Sequence, residues 1–229
     1  MSDLTGRTVL VAGATSTSGR VAVQTLRAAG AGVIAVGHDP VKLEALAAQV
    51  DAAGTGAPWM TPSCDLADEQ AVHGLADRLH AGGVTVDGVL HLVGGWRGGG
   101  GLAGQSDDDY RFLERSLTGL RFVSRAFDAD LRASDAAREA IVSSVSVRRP
   151  LAGGANYAAI KAASEAWARA LAQGFAKAAR DAERPLAAAS VVFRVKALAG
   201  LEQTLADRFV ALWDADAADV NDTVIDLTA

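Results

Sequence analysis

Short apolar stretches alternate with amphipathic stretches along this chain. The first apolar stretch, Thr8–Ala12, is rich in β-branched residues and stops at Gly13, which is the pattern of a strand followed by a turn. Apolar residues then recur at helical spacing over Val21–Ala29 and stop at Gly30, where we expect the helix to end. The change of period from strand to helix repeats as far as the C-terminus. It predicts further strands at Gly32–Val36, Trp59–Cys64, Gly88–Val93, Ala140–Val145, Ala188–Phe193 and Thr223–Leu227, and further helices at Val41–Val50, Glu69–His80, Asp107–Arg132, Asn156–Ala179 and Leu201–Trp213.

Alternation of strand and helix is typical of a doubly wound α/β fold. The strands at Val9–Ala12, Val89–Val93 and Val191–Phe193 are apolar throughout, as parallel strands covered on both faces are. Pro62 lies inside the third predicted strand and cannot donate to a ladder, so that strand belongs at an edge, in an order that begins 3-2-1. Without a repeat or a linker, residues 1–229 are predicted to be a single Rossmann-type domain with about seven parallel strands and the active site in the same domain.

Composition narrows the class of protein. Half of the 229 residues are hydrophobic, and the net charge of -5 argues against a nucleic-acid surface. Cys64 stands alone, so no internal disulfide is expected. The N-terminus does not resemble a signal peptide, and no apolar run reaches the roughly 20 residues that cross a bilayer. We expect a soluble cytoplasmic protein with neither a nucleic acid nor a membrane as its partner.

The candidate cofactor site begins at the turn between the first strand and the first helix, Gly-Ala-Thr-Ser-Thr-Ser-Gly. Gly13 and Gly19 would let the backbone bend sharply and approach a pyrophosphate, whose charge then lies at the helix N-terminus. Two glycines are a weak signal, and an ordinary strand-to-helix turn is the alternative. Ser18 is also a candidate N-cap. The other turn residues expected at the site are Thr15, Ser16 and Thr17.

The end of the second strand bears on the choice of dinucleotide. An acidic residue at Gly37 would favour the ribose hydroxyls of NAD, and an arginine at His38 would favour the phosphate of NADP. Neither is present. His38 can approach a phosphate and Asp39 can cap the next helix, so the segment favours NADP(H) slightly over NAD(H).

Candidate catalytic groups come from the second half of the chain. Tyr157 and Lys161 are four residues apart, hence on one face of a helix, and Ser144 ends the preceding strand. A phenol titrates near pH 10, and a nearby lysine cation, helped by the positive charge of oxidised nicotinamide, lowers its pKa. Tyr157 would then exchange a proton with a carbonyl or alcohol oxygen that Ser144 holds. A surface tyrosine and lysine on an amphipathic helix is the alternative.

These motifs resemble the short-chain dehydrogenase/reductase family over essentially the whole chain. Val-Ser-Ser144-Val-Ser followed by Asn-Tyr157-Ala-Ala-Ile-Lys161 is similar to its Ser-Tyr-Lys region. The resemblance implies that Tyr157 is the acid-base group, that Lys161 orients it and binds the nicotinamide ribose, and that Ser144 polarises the substrate. It implies that Asp65, next to Leu66, meets the adenine amino group. It also places Val93, Gly94 and Gly95 at the cofactor, and an oligomer interface, of a dimer or tetramer, on the Tyr157 helix, where Ala162, Ala163, Ala166 and Ala170 suit close packing.

The chain departs from that family's pattern at several positions. The middle glycine of the turn is replaced by Ser16 or Thr17, and Asn-Asn-Ala-Gly after the fourth strand becomes His91-Leu-Val-Gly94. The Asn of the catalytic tetrad falls at Ser116, which either keeps a water relay to Lys161 or loses it. Arg194-Val-Lys-Ala-Leu replaces the Pro-Gly that follows the sixth strand, and the substrate lid is short.

Other residues leave alternatives open. Gly94-Gly-Trp96 is similar to a run in dihydropteridine reductases, which implies a flat substrate near Trp96, although a flexible surface loop also fits. His91 is interpreted as an interior histidine. Arg148 and Arg149 would meet an acidic substrate or lie in solvent. His73 and His80 lack partners with metal-ligand spacing, so no metal is expected.

Hydride transfer between NAD(P)H and a small carbonyl or alcohol is the leading functional prediction. A dinucleotide sensor or scaffold without catalysis is favoured by the altered Asn and Pro-Gly positions, and the Ser-Tyr-Lys set argues against it. A lyase or epimerase is the third alternative, because a fold does not fix a reaction.

Overall fold

A computed structural model describes residues 2–51 and 58–227. The described residues form one seven-stranded sheet in the order β3-β2-β1-β4-β5-β6-β7, and all its strand pairs are parallel. The strands are β1 (Thr8–Ala12), β2 (Gly32–Val36), β3 (Trp59–Met60), β4 (Gly88–His91), β5 (Arg138–Ser144), β6 (Ala189–Val195) and β7 (Thr223–Asp226). The helices are α1 (Thr17–Ala28), α2 (Pro40–Asp51), α3 (Glu69–Ala81), α4 (Asp107–Ala126), α5 (Asp128–Ala133), α6 (Ala155–Asp181), α7 (Glu202–Val210) and α8 (Ala217–Val220).

The predicted fold class is confirmed, and so is the order that begins 3-2-1. The third strand lies at the edge, but it is shorter than predicted and ends at Met60, before Pro62. Because proline has no N–H, the ladder is interrupted there. It resumes as one bridge between Gly37 and Ser63, and the N–H of Cys64 donates to the Gly37 carbonyl at 2.8 Å.

Two predicted helices were too long. The helix expected over Asp107–Arg132 is two helices, with a break at Phe127, whose backbone leaves the helical region (φ -108°, ψ 9°) and whose ring is fully buried. The free energy gained by burying this ring against the sheet exceeds the cost of ending the helix there. The helix expected to reach Trp213 ends at Val210 and continues as a 3-10 helix, Ala211–Asp214.

Apolar side chains cover the sheet on both faces. Helices α1, α2 and α7 supply one layer, and α3, α4, α5 and α6 supply the other. The sheet order reverses between β1 and β4, and in such folds ligands bind outside the carboxyl ends of the strands at that point. Within the described ranges, no helix is both long and apolar enough to cross a membrane.

Candidate active site

The turn after β1 is packed so closely that both of its glycines are required. Gly13 has φ +85°, and a Cβ there would lie 3.1 Å from the Leu92 carbonyl carbon. A Cβ on Gly19 would lie 2.4 Å from the Gly13 oxygen. The Ser16 hydroxyl donates to the Gly13 carbonyl at 2.9 Å and accepts the Gly19 N–H at 3.0 Å. Ser16 is therefore the N-cap, and the prediction of Ser18 was wrong, because α1 begins at Thr17 and Ser18 is already in its first turn.

A cleft of about 580 Å³ opens beside this turn, a size typical of small-molecule sites. Loops that follow β1, β2, β3 and β4 form it, together with α4. Thr17, Ser18 and Gly19 lie behind the turn in α1, and Gly95 lies against the Phe112 ring. The predicted site residues that line the cleft are Gly13, Thr15, Ser16, His38, Asp65, Leu66, Val93, Gly94 and Ser116.

The cleft is also lined by three cationic side chains that the sequence analysis did not single out. Arg20 donates to the Thr15 carbonyl at 3.2 Å, and Lys42 lies 3.4 Å from the Asp39 carboxylate. Arg115 is the third. In the sequence Arg20 follows the turn directly, so its place at the cleft could have been predicted. The places of Lys42 and Arg115 at the cleft depend on how α2 and α4 pack.

The end of β2 is too crowded for a side chain. A Cβ on Gly37 would lie 3.0 Å from the Thr15 Cγ2, so an acidic residue there would displace Thr15. His38 is exposed and lines the cleft. The Asp39 carboxylate accepts the Val41 N–H at 3.1 Å, which confirms Asp39 as a cap of α2.

Asp65 faces the cleft as an ionised, already partnered group. Burial by itself would raise the pKa of its carboxyl, but the Ala67 N–H and the Arg115 guanidinium lower that pKa overall. Arg115 Nη2 lies 2.8 Å from each carboxylate oxygen. The adenine contact implied for Asp65 stays a prediction.

Ser144, Tyr157 and Lys161 meet at the margin of the cleft. Ser144 ends β5, and the other two lie in the first two turns of α6. Ser144 is near enough to the Tyr157 phenol to lower its pKa, although its own hydroxyl donates to Ser146 Oγ at 3.1 Å. Lys161 Nζ is 5.9 Å from the centre of the Tyr157 ring. Lys161 Nζ donates to the Val142 carbonyl at 2.8 Å and is 3.6 Å from the point where a Cβ of Gly94 would lie. Gly94 lines the cleft, so the Lys161 ammonium lies next to the cleft.

Burial dominates the titration of this trio in the protein alone. It raises the pKa of Tyr157, and the Ser144 hydrogen bond opposes the change only in part. It lowers the pKa of Lys161 to about 8, against the opposing charge of Glu165. In the protein alone, desolvation of the phenolate therefore raises the pKa of Tyr157, and the lowering expected beside Lys161 and an oxidised nicotinamide stays a prediction. At neutral pH Tyr157 is a proton donor and Lys161 is a cation.

Ser116 lies at the cleft without touching Lys161 through its hydroxyl. That hydroxyl donates to the Leu113 carbonyl at 2.7 Å, one turn back along α4. The Ser116 carbonyl oxygen is 3.0 Å from Nε2 of His91. His91 is buried, which lowers its pKa to about 4. It is an interior histidine, as interpreted, but only Nε2 has a partner among the described residues.

A buried ionic group lies behind Lys161 that the sequence did not reveal. Arg194 lies inside β6, and its guanidinium donates to the Glu165 carboxylate at 2.6 Å. The Ser143 hydroxyl donates to the other oxygen of Glu165, also at 2.6 Å. Glu165 is one helical turn beyond Lys161. In the sequence, the indication of this buried group was limited to one charged residue, Arg194, at the end of an apolar strand.

The glycine-rich loop after β4 packs against the segment that precedes α6. Its Gly99 N–H donates to the Gly153 carbonyl at 2.7 Å. The side chain of Trp96 is 61% exposed, and Arg97 lies over the Phe112 ring at 3.9 Å. The proximity of Trp96 to a flat substrate stays a prediction.

The remaining histidines, His73 and His80, lie on α3. His80 Nε2 is 3.1 Å from the Asp130 carboxylate. In the part of the chain that the structure describes, no three His, Cys, Asp or Glu side chains are grouped to hold a metal ion.

Comparison with known proteins identifies the family. The model of the short chain dehydrogenases matches residues 7–179. The chain belongs to this family. No curated protein matches its sequence.

Solved structures share the fold at low sequence identity. A short-chain type dehydrogenase/reductase from Mycobacterium ulcerans is 20% identical, with a TM-score of 0.84 over 99% of this chain and 90% of its own. A protein from Shigella flexneri complexed with NADP is 20% identical, with a TM-score of 0.84 over 100% of both chains. A protein from Escherichia coli complexed with NADPH is 21% identical, with a TM-score of 0.82 over 98% of both chains.

Proposed function

We propose that the protein is an NADP(H)-dependent oxidoreductase that interconverts a small carbonyl compound and its alcohol. The observation that carries this proposal is the meeting of Ser144, Tyr157 and Lys161 beside a cleft whose entrance is a glycine turn. A proton donor, a fixed cation and a hydroxyl next to a dinucleotide-sized cleft suit reduction of a polar double bond.

The residues of the cleft fit a dinucleotide. At Gly13 and Gly19 the backbone has no side chain where a Cβ would collide, so a pyrophosphate can approach the turn closely at the start of α1, although the N–H groups of these two glycines are bonded to the Val36 carbonyl and the Ser16 hydroxyl. Arg20, Lys42 and Arg115 add positive charge in a chain whose net charge is -5. Lys161 would hold the ribose next to the nicotinamide.

Each catalytic side chain has one task in this proposal. A bound nicotinamide supplies or accepts the hydride. The Tyr157 phenol, protonated at neutral pH, donates its proton to the substrate oxygen during reduction and recovers it during oxidation. The Ser144 hydroxyl holds that oxygen, and the Ser146 N–H, which donates to Ser144 Oγ at 3.1 Å, fixes the serine. Lys161, held by the Val142 carbonyl, keeps a positive charge below the phenol.

The preference for NADP(H) over NAD(H) rests on charge. His38 and Lys42 line the cleft next to the end of β2, where the second phosphate of NADP would lie, and Gly37 has no carboxylate to repel it. NADP and NADPH are also the ligands in the Shigella flexneri and Escherichia coli complexes.

The first test is fluorescence titration with NADPH and NADH, followed in the same cuvette by ketones, quinones and pterins. We expect NADPH to bind more tightly and to be oxidised. Gly19→Ala should weaken binding of both nucleotides, because its Cβ meets backbone atoms of the turn. Gly74→Ala is the matched control, since its Cβ would meet only the end of the flexible Arg78 side chain, at 3.4 Å.

The outcomes separate the proposed function from its alternatives. Turnover that depends on Tyr157 supports an oxidoreductase. Tight binding without turnover across the panel would favour a dinucleotide sensor or scaffold. Conversion of a substrate with no net change in NADPH would indicate a lyase or epimerase, and failure to bind either nucleotide would refute the proposal.

We also propose a homodimer or homotetramer formed through α6. Its alanines Ala162, Ala163, Ala166 and Ala170 are exposed, so another helix can approach closely there. Sedimentation of the wild type and of Ala166→Arg tests this: the variant should dissociate, and a monomeric wild type would refute it.

A further inference from the structure

His91 uses only one of its two ring nitrogens within the protein. Nε2 is 3.0 Å from the Ser116 carbonyl oxygen, and because a carbonyl oxygen only accepts, Nε2 must carry the hydrogen. The ring is 5% exposed and its pKa is about 4, so the imidazole is neutral at pH 7. Nδ1 is therefore a bare acceptor, and it has no hydrogen-bond partner among residues 2–51 and 58–227.

An acceptor in that position requires a donor. Buried polar atoms in folded proteins are nearly always hydrogen-bonded, either to the protein or to an internal water, and an unpaired one is destabilising. An imidazole kept only for packing would be replaced at no loss by an apolar ring. The bond between Nε2 and Ser116 therefore leaves the lone pair on Nδ1 of His91 without a donor.

The closest cationic donor by topology is Lys161. His91 is paired with Ile141 across the β4–β5 ladder, and the next residue of β5, Val142, accepts the Lys161 ammonium at 2.8 Å. Neighbouring strands are about 4.8 Å apart, so this ammonium ends near the tip of β4. Its stem comes from α6, which covers the same face of the sheet as His91. An ammonium has three N–H groups, of which Val142 uses one.

We propose that His91 is a positioning residue for Lys161, whose ammonium it holds by accepting a hydrogen bond at Nδ1 through one bridging water. This inference rests on the proposed function, in which Lys161 serves Tyr157 and the cofactor ribose. The bond stabilises the charged form of Lys161 against burial and fixes the height of the ammonium below the phenol. The other titratable groups near it are Tyr157 and Glu165 on α6, and Arg194 of β6, which acts through Glu165.

Two substitutions separate the two nitrogens of His91. In His91→Asn, Oδ1 takes the place of Nδ1 and keeps an acceptor, but the contact with Ser116 is lost. In His91→Gln, the side-chain amide takes the place of Nε2 and keeps a donor to Ser116, but the acceptor at the δ position is lost. If His91 positions Lys161, His91→Asn preserves the titration of the lysine and His91→Gln does not.

The readout is the pH titration of the lysine side chains by NMR in the protein without nucleotide. The chain has four lysines, and Lys161→Met assigns the signal of interest. We expect His91→Gln to lower the titration midpoint of Lys161 by about one pH unit and His91→Asn to leave it within a few tenths. The reverse pattern, or no change in either variant, would overturn the proposal and reduce His91 to a tether of Ser116.

A second measurement uses the wild-type histidine and so does not depend on folding of the His91 variants. The 15N shift of His91 Nδ1 should be that of a hydrogen-bonded acceptor and should move to the unbonded value in Lys161→Met, but not in the matched control Lys177→Met. An Nδ1 shift indifferent to Lys161 would refute the bond. Neither measurement requires turnover, so failure of this inference is distinguishable from failure of the proposed reaction.

Discussion

Arg194 and Glu165 form an ion pair inside the molecule, with 2.6 Å between Nη2 and Oε2 and only 6% of each side chain exposed. The pair joins β6 to α6 one turn beyond Lys161. Ser143, next to Ser144, donates to the same carboxylate. Charge as well as apolar contacts therefore hold α6 on the sheet.

Breaking this pair from one side should be strongly destabilising. Glu165→Leu leaves the Arg194 guanidinium buried without its counter-ion, and we expect a loss of about 3–5 kcal/mol in the free energy of unfolding. The double variant Glu165→Leu/Arg194→Met should recover most of it. Urea unfolding measures both. Asp181→Ala, which removes the exposed partner of Lys177, is the control and should cost less than about 1 kcal/mol. Equal losses in Glu165→Leu and Asp181→Ala would contradict this account.

Glu139 predicts a pH dependence of stability. It is fully buried on β5, with no hydrogen-bond partner for either oxygen within the described part of the chain. Burial, with the charge of Asp128, raises its pKa to about 8 from an ordinary value of 4.5. The folded state therefore binds more protons than the unfolded state between these values. This contribution is complete below pH 4.5 and is lost as pH rises to about 8, at up to about 1.4 kcal/mol per pH unit.

Glu139→Gln should remove that slope, because an amide does not ionise. Thermal or urea unfolding between pH 5 and pH 8 would show the variant gaining stability over the wild type as pH rises. Glu44→Gln, at an exposed position of α2, is the control. A constant difference between Glu139→Gln and the wild type across this range would show that Glu139 does not titrate as described.

Tyr157→Phe should abolish turnover and largely spare cofactor binding. The change removes one hydroxyl, and general acid-base catalysis is worth roughly 100- to 10,000-fold in rate. Steady-state kinetics and NADPH titration check both halves. The chain has one other tyrosine, so exposed Tyr110→Phe is a matched control. Wild-type rates in Tyr157→Phe would eliminate the proposed role of the phenol.

Lys161→Ala should weaken both cofactor binding and rate. A hydrogen bond from a charged donor is worth about 1.5–3 kcal/mol, or roughly 10- to 100-fold in affinity. Because the pKa of Lys161 is about 8, its charge is present at pH 7 and lost as pH rises above 8. NADPH affinity of the wild type should therefore fall between pH 7 and pH 9, and the variant should lack this fall. Lys177→Ala is the control, and unchanged affinity in Lys161→Ala would exclude the ribose contact.

Lys42→Ala should reduce the discrimination between NADPH and NADH. The side chain of Lys42 is 65% exposed, so solvent and salt screen its charge, and we expect a loss of roughly two- to fivefold for NADPH. NADH affinity should not change, because it lacks the second phosphate. Parallel titrations with Lys196→Ala as the control measure the ratio. An equal loss for both nucleotides would place Lys42 at the pyrophosphate instead.

The sequence predicted the order of the sheet and the three candidate catalytic residues that the structure brings together. The apolar runs and the glycines that end them predicted the bounds of β1 and β2 to the residue, and Pro62 predicted the edge strand. These features act locally in the chain and can therefore be read from the sequence. Helical spacing put Tyr157 and Lys161 on one face of α6, and the structure brings Ser144 to them.

Residues that depend on tertiary placement escaped prediction. Nothing local distinguishes Lys42 and Arg115 from other surface cations until α2 and α4 are placed around the cleft. Arg194 and Glu165 are 29 residues apart in the chain, and only the packing of α6 on β6 makes them partners. The rise in the pKa of Tyr157 in the protein alone was not predicted, since the extent of its burial is not readable from sequence.

The side chain of Gln105 joins the glycine-rich loop after β4 to the start of α6. Its amide nitrogen is within 3.1–3.2 Å of the carbonyl oxygens of Gly99, Gly101 and Gly153, and its oxygen accepts the Asn156 N–H at 3.1 Å. An amide nitrogen has two hydrogens, so three acceptors compete for two bonds. A substitution at this one position would therefore deprive both segments of the same partner at once.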